Sequence, residues 1–384
     1  MICPDRGFPE AEYRTRTSRA QVLMRDADLS ALLLTTEPEV RYYTGFLTRF
    51  WESPTRPWFV IVPDDGDPIA VIPSIGAHLM SQTWIRDIRI WDAPDYTDDG
   101  VGLLAAALCE TVADGAKIGL ADAMESHARM PLQSLDRLRR IIGHRTLVSD
   151  GAITRALRQV KSDTEIAKIR YAASLADHAF DRVGEIAAPG VPLSTVFRKF
   201  QMLCLEEGAD WVPYLAGAAA QGGYGDVISP ATDTPILEGD VLMLDTGLVW
   251  DGYFCDFDRN FSIGKPSEVV ARALNQLVDA TEAAFEIARS GRTISELFGA
   301  MDAILDVGAG GGRLGHGLGM QLTEWPSIIA EDQTILKPGM VLTLEPYVTL
   351  PGQKIMVHEE NIVIREDRPE YLSTPERREI RTLC

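Results

Sequence analysis

Five side chains of the metal-ligand type, all in the last third of the chain, interrupt apolar or glycine-rich segments, and any fold must account for them. Asp245 lies in Leu242-Met243-Leu244-Asp245-Thr246-Gly247 and Asp256 in Tyr253-Phe254-Cys255-Asp256-Phe257-Asp258-Arg259. His316 lies in Gly315-His316-Gly317-Leu318-Gly319, Glu345 in Leu342-Thr343-Leu344-Glu345-Pro346, and Glu359 in Val357-His358-Glu359-Glu360-Asn361-Ile362. A carboxylate buried without a partner is costly. Four of them among Leu, Val, Ile and Phe are tolerable together where positive charge neutralises them, and two divalent cations supply that charge. Oxygen ligands with one imidazole suit Mn, Co, Fe or Zn better than a thiolate-favouring site would. Two such ions can activate a water between them and polarise a carbonyl.

At 384 residues the chain is too long for one ordinary core, so two domains are expected. The formal net charge of −19 repels phosphate backbones and argues against nucleic-acid binding. No run of about 18 apolar residues appears, so no membrane span is expected. The polar start Met1-Ile2-Cys3-Pro4-Asp5-Arg6 lacks a signal-peptide core, which predicts a cytoplasmic protein. The five cysteines are scattered and form no C-x-x-C pair, against both a disulfide framework and a thiolate zinc site.

Along the chain, an amphipathic helix starting near residue 17 runs into the apolar strand Ala31–Leu34. Phe59–Pro63 and Ile69–Pro73 flank Asp64-Asp65-Gly66-Asp67, a hairpin signal. Helices over 102–113 and 131–142 bracket a strand at Ile118–Ala121. Strands alternating with helices predict an α/β N-terminal domain over residues 1–150. Its loop Phe50–Trp58, with Trp51, Arg56 and Trp58, is either a packed Ω-loop or a segment reaching into a binding site, a partner subunit's included. Beyond the junction, Ser162-Asp163-Thr164-Glu165 has capping-box spacing ahead of a long helix. A helix over 193–207, a Gly- and Ala-rich stretch at 212–236, helices over 267–289 and 294–306, and antiparallel strands within 337–364 follow. The order predicts an α+β domain over residues 160–384, with helices on one face of a curved antiparallel sheet.

Asp251-Gly252 is a turn signal that would place Asp245 and Asp256 on neighbouring strands. As an alternative, Asp256 and Asp258 simply pair with Arg259. Gly310-Gly311-Gly312-Arg313-Leu314-Gly315 satisfies G-x-G-x-x-G, but it follows a helix and no βαβ unit surrounds it, which argues against dinucleotide binding. Asp258 and Glu360 are expected to back the ligands or face solvent. His358 would point away from the metals. Trp325, beside Glu324, would either wall the pocket or fill core.

The five-ligand pattern (D-x-G, D-x-x-R, G-H-G-x-G, L-E-P and E-E-N-I-V-I) resembles the methionine aminopeptidase, prolidase and creatinase family, the pita-bread fold. The resemblance covers nearly the whole chain and implies a creatinase/prolidase-type N-terminal domain. It implies two divalent metal ions bridged by Asp256 and Glu359, with Asp245 on one, His316 and Glu345 on the other, and Glu345 as proton shuttle. It further implies a homodimer, with Trp51 and Arg56 as candidates for a contribution to the partner's site. Thr323, Glu324 and Trp325 are the candidate substrate contacts beyond His316. Where prolidase-like members carry two histidines and an arginine that hold the peptide and its oxyanion, this chain has Ile228, Thr323 and Val357. The implied activity is hydrolysis of an amide or peptide C–N bond by a bridging hydroxide, as in Xaa-Pro dipeptidases and aminopeptidases. Rivals are a hydrolase of a small non-peptide amide, amidine or ring, of creatinase or ectoine-hydrolase type, and a dimethylsulfoniopropionate-cleaving lyase. A third is a binding protein on a degenerate scaffold, against which the five retained ligands argue.

Overall fold

The computed structural model describes residues 2–53 and 56–384; Pro54 and Thr55, inside the Phe50–Trp58 loop, lie outside the described residues. The chain divides into two compact units, residues 5–158 and residues 159–384, the latter with the segment before Asp5.

The first unit runs α1 (Glu10–Asp26), β1 (Ala31–Leu34), α2 (Glu37–Thr44), β2 (Phe59–Pro63), β3 (Ile69–Pro73), α3 (Ala77–Ser81) and β4 (Asp87–Trp91). It continues with α4 (Val101–Thr111), β5 (Lys117–Leu120), α5 (Leu132–Ile141), β6 (Thr146–Ser149) and α6 (Ile153–Gln159). One mixed six-stranded sheet, ordered β4-β3-β2-β1-β5-β6, forms its centre. The β2–β3 hairpin is antiparallel, whereas β1, β5 and β6 are parallel and joined through helices, as crossover connections require. α1 begins at Glu10, earlier than the apolar periodicity suggests. Pro9 precedes it in extended geometry, and Glu10 and Glu12 face its positive end.

The second unit runs α7 (Asp163–Asp181), α8 (Leu193–Glu207), β7 (Trp211–Gln221), β8 (Asp240–Trp250), β9 (Tyr253–Phe254), β10 (Phe257–Ile263), α9 (Glu268–Ile287) and α10 (Ile294–Leu305). After α10 come β11 (His316–Gly317), β12 (Glu324–Ser327), β13 (Val341–Leu344), β14 (Tyr347–Leu350), β15 (Lys354–Val357), β16 (Glu360–Val363), β17 (Glu370–Tyr371) and β18 (Arg381–Leu383). The Ser162 side chain and Glu165 close the expected capping box at the start of α7. Two sheets, β18-β10-β8-β7 and β12-β11-β13-β16-β17, are antiparallel except where β10 meets β18. Phe180 of α7 and Phe200 of α8 pack on Leu242, Leu244, Phe257 and Phe261, and α9 and α10 supply Ala284, Leu297 and Met301 beside Leu342, Leu344 and Ile362. The second unit is thus α+β, helices against largely antiparallel sheets, and the first is α/β around one mixed sheet. Among the described residues no helix is long and apolar enough to cross a membrane.

Candidate metal centre

Strand alternation places the first ligand. Leu242 and Leu244 of β8 turn into the core beneath α7 and α8, so Asp245 turns to the opposite face. β8 extends through the expected loop to Trp250, and Asp251 (φ 47°) and Gly252 (φ 75°) make the turn. Both take the left-handed conformation that Gly and Asp accept most readily. The register puts Asp258, not Asp256, directly opposite Asp245. Asp256 sits in the link between β9 and β10 instead. There its N–H donates to Asn361 Oδ1 at 3.0 Å, and Asn361 Nδ2 donates back to the Asp256 carbonyl. Asn361 on β16 thereby brings Asp256 beside Glu359, whose own N–H donates to Asp258 Oδ1 at 2.7 Å.

His316 is held by its backbone N–H on Thr343 Oγ1 at 3.1 Å. A side chain on Gly315 (φ 136°) would collide with the Thr343 carbonyl, and one on Gly317 with the Trp325 carbonyl. The imidazole Nδ1 lies 2.8 Å from the Gly317 carbonyl, an acceptor only, so Nδ1 carries the proton and Nε2 the lone pair. Nε2 faces Asp256 Oδ2 at 3.4 Å and Glu345 Oε2 at 4.0 Å. Asp256, His316 and Glu359 each offer a ligand atom within 4.8 Å of the others.

Burial is the first cause of every shift here. It pushes the Asp245, Asp256 and Glu359 carboxyls well above the ordinary range, and repulsion adds to it, from Asp258 at Asp245, from Asp245 at Asp256, from Asp256 at Glu359 and from Glu345 at all three. Glu345 is pushed up to about 7 and Asp258 to about 8, also first by burial. Burial, then the Arg313 charge, lowers His316 to about 4. Asp245 Oδ1, Asp256 Oδ1 and Glu359 Oε1 are buried with no hydrogen-bond partner. Orphaned carboxylate oxygens around a neutral imidazole nitrogen are what divalent cations satisfy, and the donor set fits them.

Residues 167–366 match Metallopeptidase family M24, and residues 16–160 match the Creatinase/Prolidase N-terminal domain. The chain belongs to metallopeptidase family M24. The probable dipeptidase PepE of Mycobacterium tuberculosis is 29% identical over 372 residues, 94% of each chain. The Xaa-Pro dipeptidase of Pyrococcus furiosus is 30% identical over 229 residues, 59% of this chain and 66% of that one. The crystal structure of dipeptidase PepE from Mycobacterium ulcerans superposes with a TM-score of 0.84 at 25% identity, covering 98% of this chain and 99% of that one. With these relatives, this M24 chain is a metallopeptidase-like hydrolase.

Around the Asp256, His316 and Glu359 cluster of this M24 protein, with Glu345 4.0 Å from His316, the other candidates fall into three places. Asp258 and Glu360 are buried; Arg259, fully buried between them, donates to the Glu359 carbonyl at 3.2 Å and to Glu360 Oε2 at 3.1 Å. His358 lies between the same two acids, 3.5 Å from Asp258 Oδ1 and 3.4 Å from Glu360 Oε1. Glu324 accepts from Lys161 Nζ at 3.0 Å and from the Met320 and Gln321 amides at 2.9 and 3.2 Å. Its carboxylate thus braces the turn after His316, which accounts for an acid there without a substrate. Thr323 and Trp325 flank it, half-buried. Trp51 and Arg56 belong to the N-terminal unit. Trp51 is buried 5.9 Å from the Trp58 ring with the Arg129 guanidinium over it, and Arg56 lies over the Phe50 ring. The sequence reading missed Tyr214, whose O–H donates to Asp245 Oδ2 at 3.1 Å, and the bracing role of Asn361. Asn361 stands in the quoted E-E-N segment, a usable signal; Tyr214 has none.

Proposed function

We propose that the chain is a dinuclear metal-dependent hydrolase of amide C–N bonds in short peptides, of the Xaa-Pro dipeptidase type. The observation that carries this reading is the set of buried, unpartnered carboxylate oxygens on Asp245, Asp256 and Glu359, with Asp256, His316 and Glu359 each offering a ligand atom within 4.8 Å of the others. Asp256 and Glu359 would be shared between two divalent ions, Asp245 would complete one set, and His316 and Glu345 the other. Two such ions, when bound, supply an activated water and a polarised carbonyl.

The chain's own residues do the rest. Tyr214 occupies Asp245 Oδ2 and so leaves Oδ1 for the ligand role. The Nδ1–H bond to Gly317 and the lowered pKa keep His316 neutral at physiological pH, with Nε2 directed at the cluster. Asn361 and Asp258 fix the backbones of Asp256 and Glu359, limiting how far the two carboxylates can drift. Glu345, half-exposed and close to His316, takes the proton of the attacking water on Oε2 and hands it to the leaving nitrogen. Hydrolysis of Xaa-Pro dipeptides that stops with chelator and returns with Mn, Co, Fe or Zn is the expected result. Failure of every such peptide to turn over in metal-loaded protein would refute it.

One observation favours a second substrate class. Ile228 is 82% exposed on a turn tied to Asp226, and neither Thr323 nor Val357 brings charge. Three positions where prolidase-like members hold the peptide are thus apolar or uncharged. A small non-peptide amide, amidine or ring is the alternative, and a panel of zwitterionic osmolytes beside the dipeptides separates the two. The proposal includes a cytoplasmic homodimer in which Arg56 serves the partner's centre and Trp51, buried against Trp58, holds the loop that carries it. Light scattering that gives a monomer would remove that part.

A further inference from the structure

We propose that Lys161 and Glu324 are positioning residues for the metal centre: their buried ion pair fixes the turn that joins His316 to Asp256, and so sets the affinity of the metal position that His316 serves. The inference rests on the dinuclear reading above. Lys161 stands 163 residues from Glu324, just ahead of α7, and its root is fixed at the foot of β13. Its N–H donates to the Gly339 carbonyl at 2.9 Å, and a side chain on Gly339 (φ 89°) would come within 2.7 Å of the Lys161 carbonyl. From there the Lys161 side chain reaches the hairpin of β11 and β12. The two charged side chains are 2% and 6% exposed and meet at 3.0 Å.

Glu324 serves the hairpin twice. Its backbone lies opposite Gly317, whose carbonyl holds the His316 Nδ1–H. Its Oε1 accepts from the Met320 and Gln321 amides, while its Oε2 takes the Lys161 ammonium. Gly319 lies directly against the pair: a Cβ there would be 2.9 Å from both carboxylate oxygens and from Lys161 Cε. The Gly319 carbonyl in turn accepts from the Phe254 N–H at 2.9 Å, two residues before Asp256. Contacts thus run from β13 through Lys161, Glu324 and Gly319 to both ligand-bearing segments. A buried ion pair is a poor device for stability alone, since apolar residues of similar volume often do as well. It is a good device for location, because either charge is costly to leave buried without the other. Metal affinity depends on such outer contacts as well as on the ligands themselves.

The test uses the full chain as wild type, Lys161→Met, Gly319→Ala and the double variant Lys161→Met/Glu324→Gln. Gly319→Ala keeps both charges and drives a methyl against the flexible ends of the two side chains, so it carries the test even if Lys161→Met does not fold. Titration calorimetry of chelated protein with Mn should give two binding steps in wild type. Lys161→Met and Gly319→Ala should each weaken one step by about tenfold and leave the other within about twofold. The double variant retains an acceptor for the two amides and leaves no charge buried alone, so it should lie within about threefold of wild type. In metal-free protein with isotope-labelled histidine, the His316 Nδ1–H signal, assigned by its absence from His316→Gln, should be sharp in wild type and lost to exchange in both single variants. Equal weakening of both steps would overturn the inference. So would variants that lose thermal stability while both steps and the Nδ1–H signal stay as in wild type, the pattern of a merely structural pair. Wild type that takes up no metal would refute the dinuclear reading, and the histidine signal would still decide whether the pair positions His316.

Discussion

Asp245 Oδ1, Asp256 Oδ1 and Glu359 Oε1 are buried acceptors without donors, so each is a cost to the metal-free protein. Asp256→Asn should therefore stabilise chelated protein by about 1–2 kcal/mol in urea unfolding, and abolish the stabilisation that added metal gives wild type. Destabilisation of the chelated variant would contradict that. The pH dependence has a definite sign. The folded-state carboxyl pKa values are raised, to about 7 for Glu345 and about 8 for Asp258, so the native state holds the extra protons. Their stabilising share is full below the ordinary carboxylate range and is lost as pH rises through the raised values. His316, lowered to about 4, acts in the opposite direction, but only below its ordinary 6.5. Chelated protein should thus lose thermal stability from pH 6.5 to 8, and metal should flatten the trend; a Tm that rises over that window would contradict the cause given. The four candidate carboxylates stood out because an acid in an apolar run is anomalous in itself, and His316 because glycines flank it. The bracing by Asn361 and Tyr214 was not, since it depends on which strand lies beside which.

At the scale of elements, the long helix α7 was legible from its cap at Ser162, whose box closes; the matching box at Thr293 emerges only in the structure. β7 was not: Ala216–Ala220 has poor strand propensity, and pairing with β8 along nearly its whole length overrides it. The turn between β8 and β10 was visible at Asp251-Gly252, but the register was not, and so the facing pair is Asp245 with Asp258. Arg259 ties β10 to the carbonyl before β16 and to Glu360. Arg259→Met would leave buried acids unpaired and should cost about 3–5 kcal/mol in chemical unfolding. A loss below 1 kcal/mol would show that the network is not what joins these strands.

At the scale of the whole molecule, every proposed ligand and every group bracing it falls within residues 159–384, while residues 5–158 hold a sheet and core of their own. Expressed alone, residues 159–384 should still bind divalent metal, and a fragment that folds by circular dichroism but takes none would contradict that assignment. The two-unit organisation follows from length and from the change in strand and helix order, whereas what the N-terminal unit contributes to a substrate has no signature in composition or spacing. The most direct test of the central claim is the metal stoichiometry of purified, Mn-reconstituted protein by elemental analysis, for wild type and Asp256→Ala. Two ions per chain in wild type, and loss of metal in the variant, is the predicted result; wild type without metal, or a variant that keeps both ions, would contradict it.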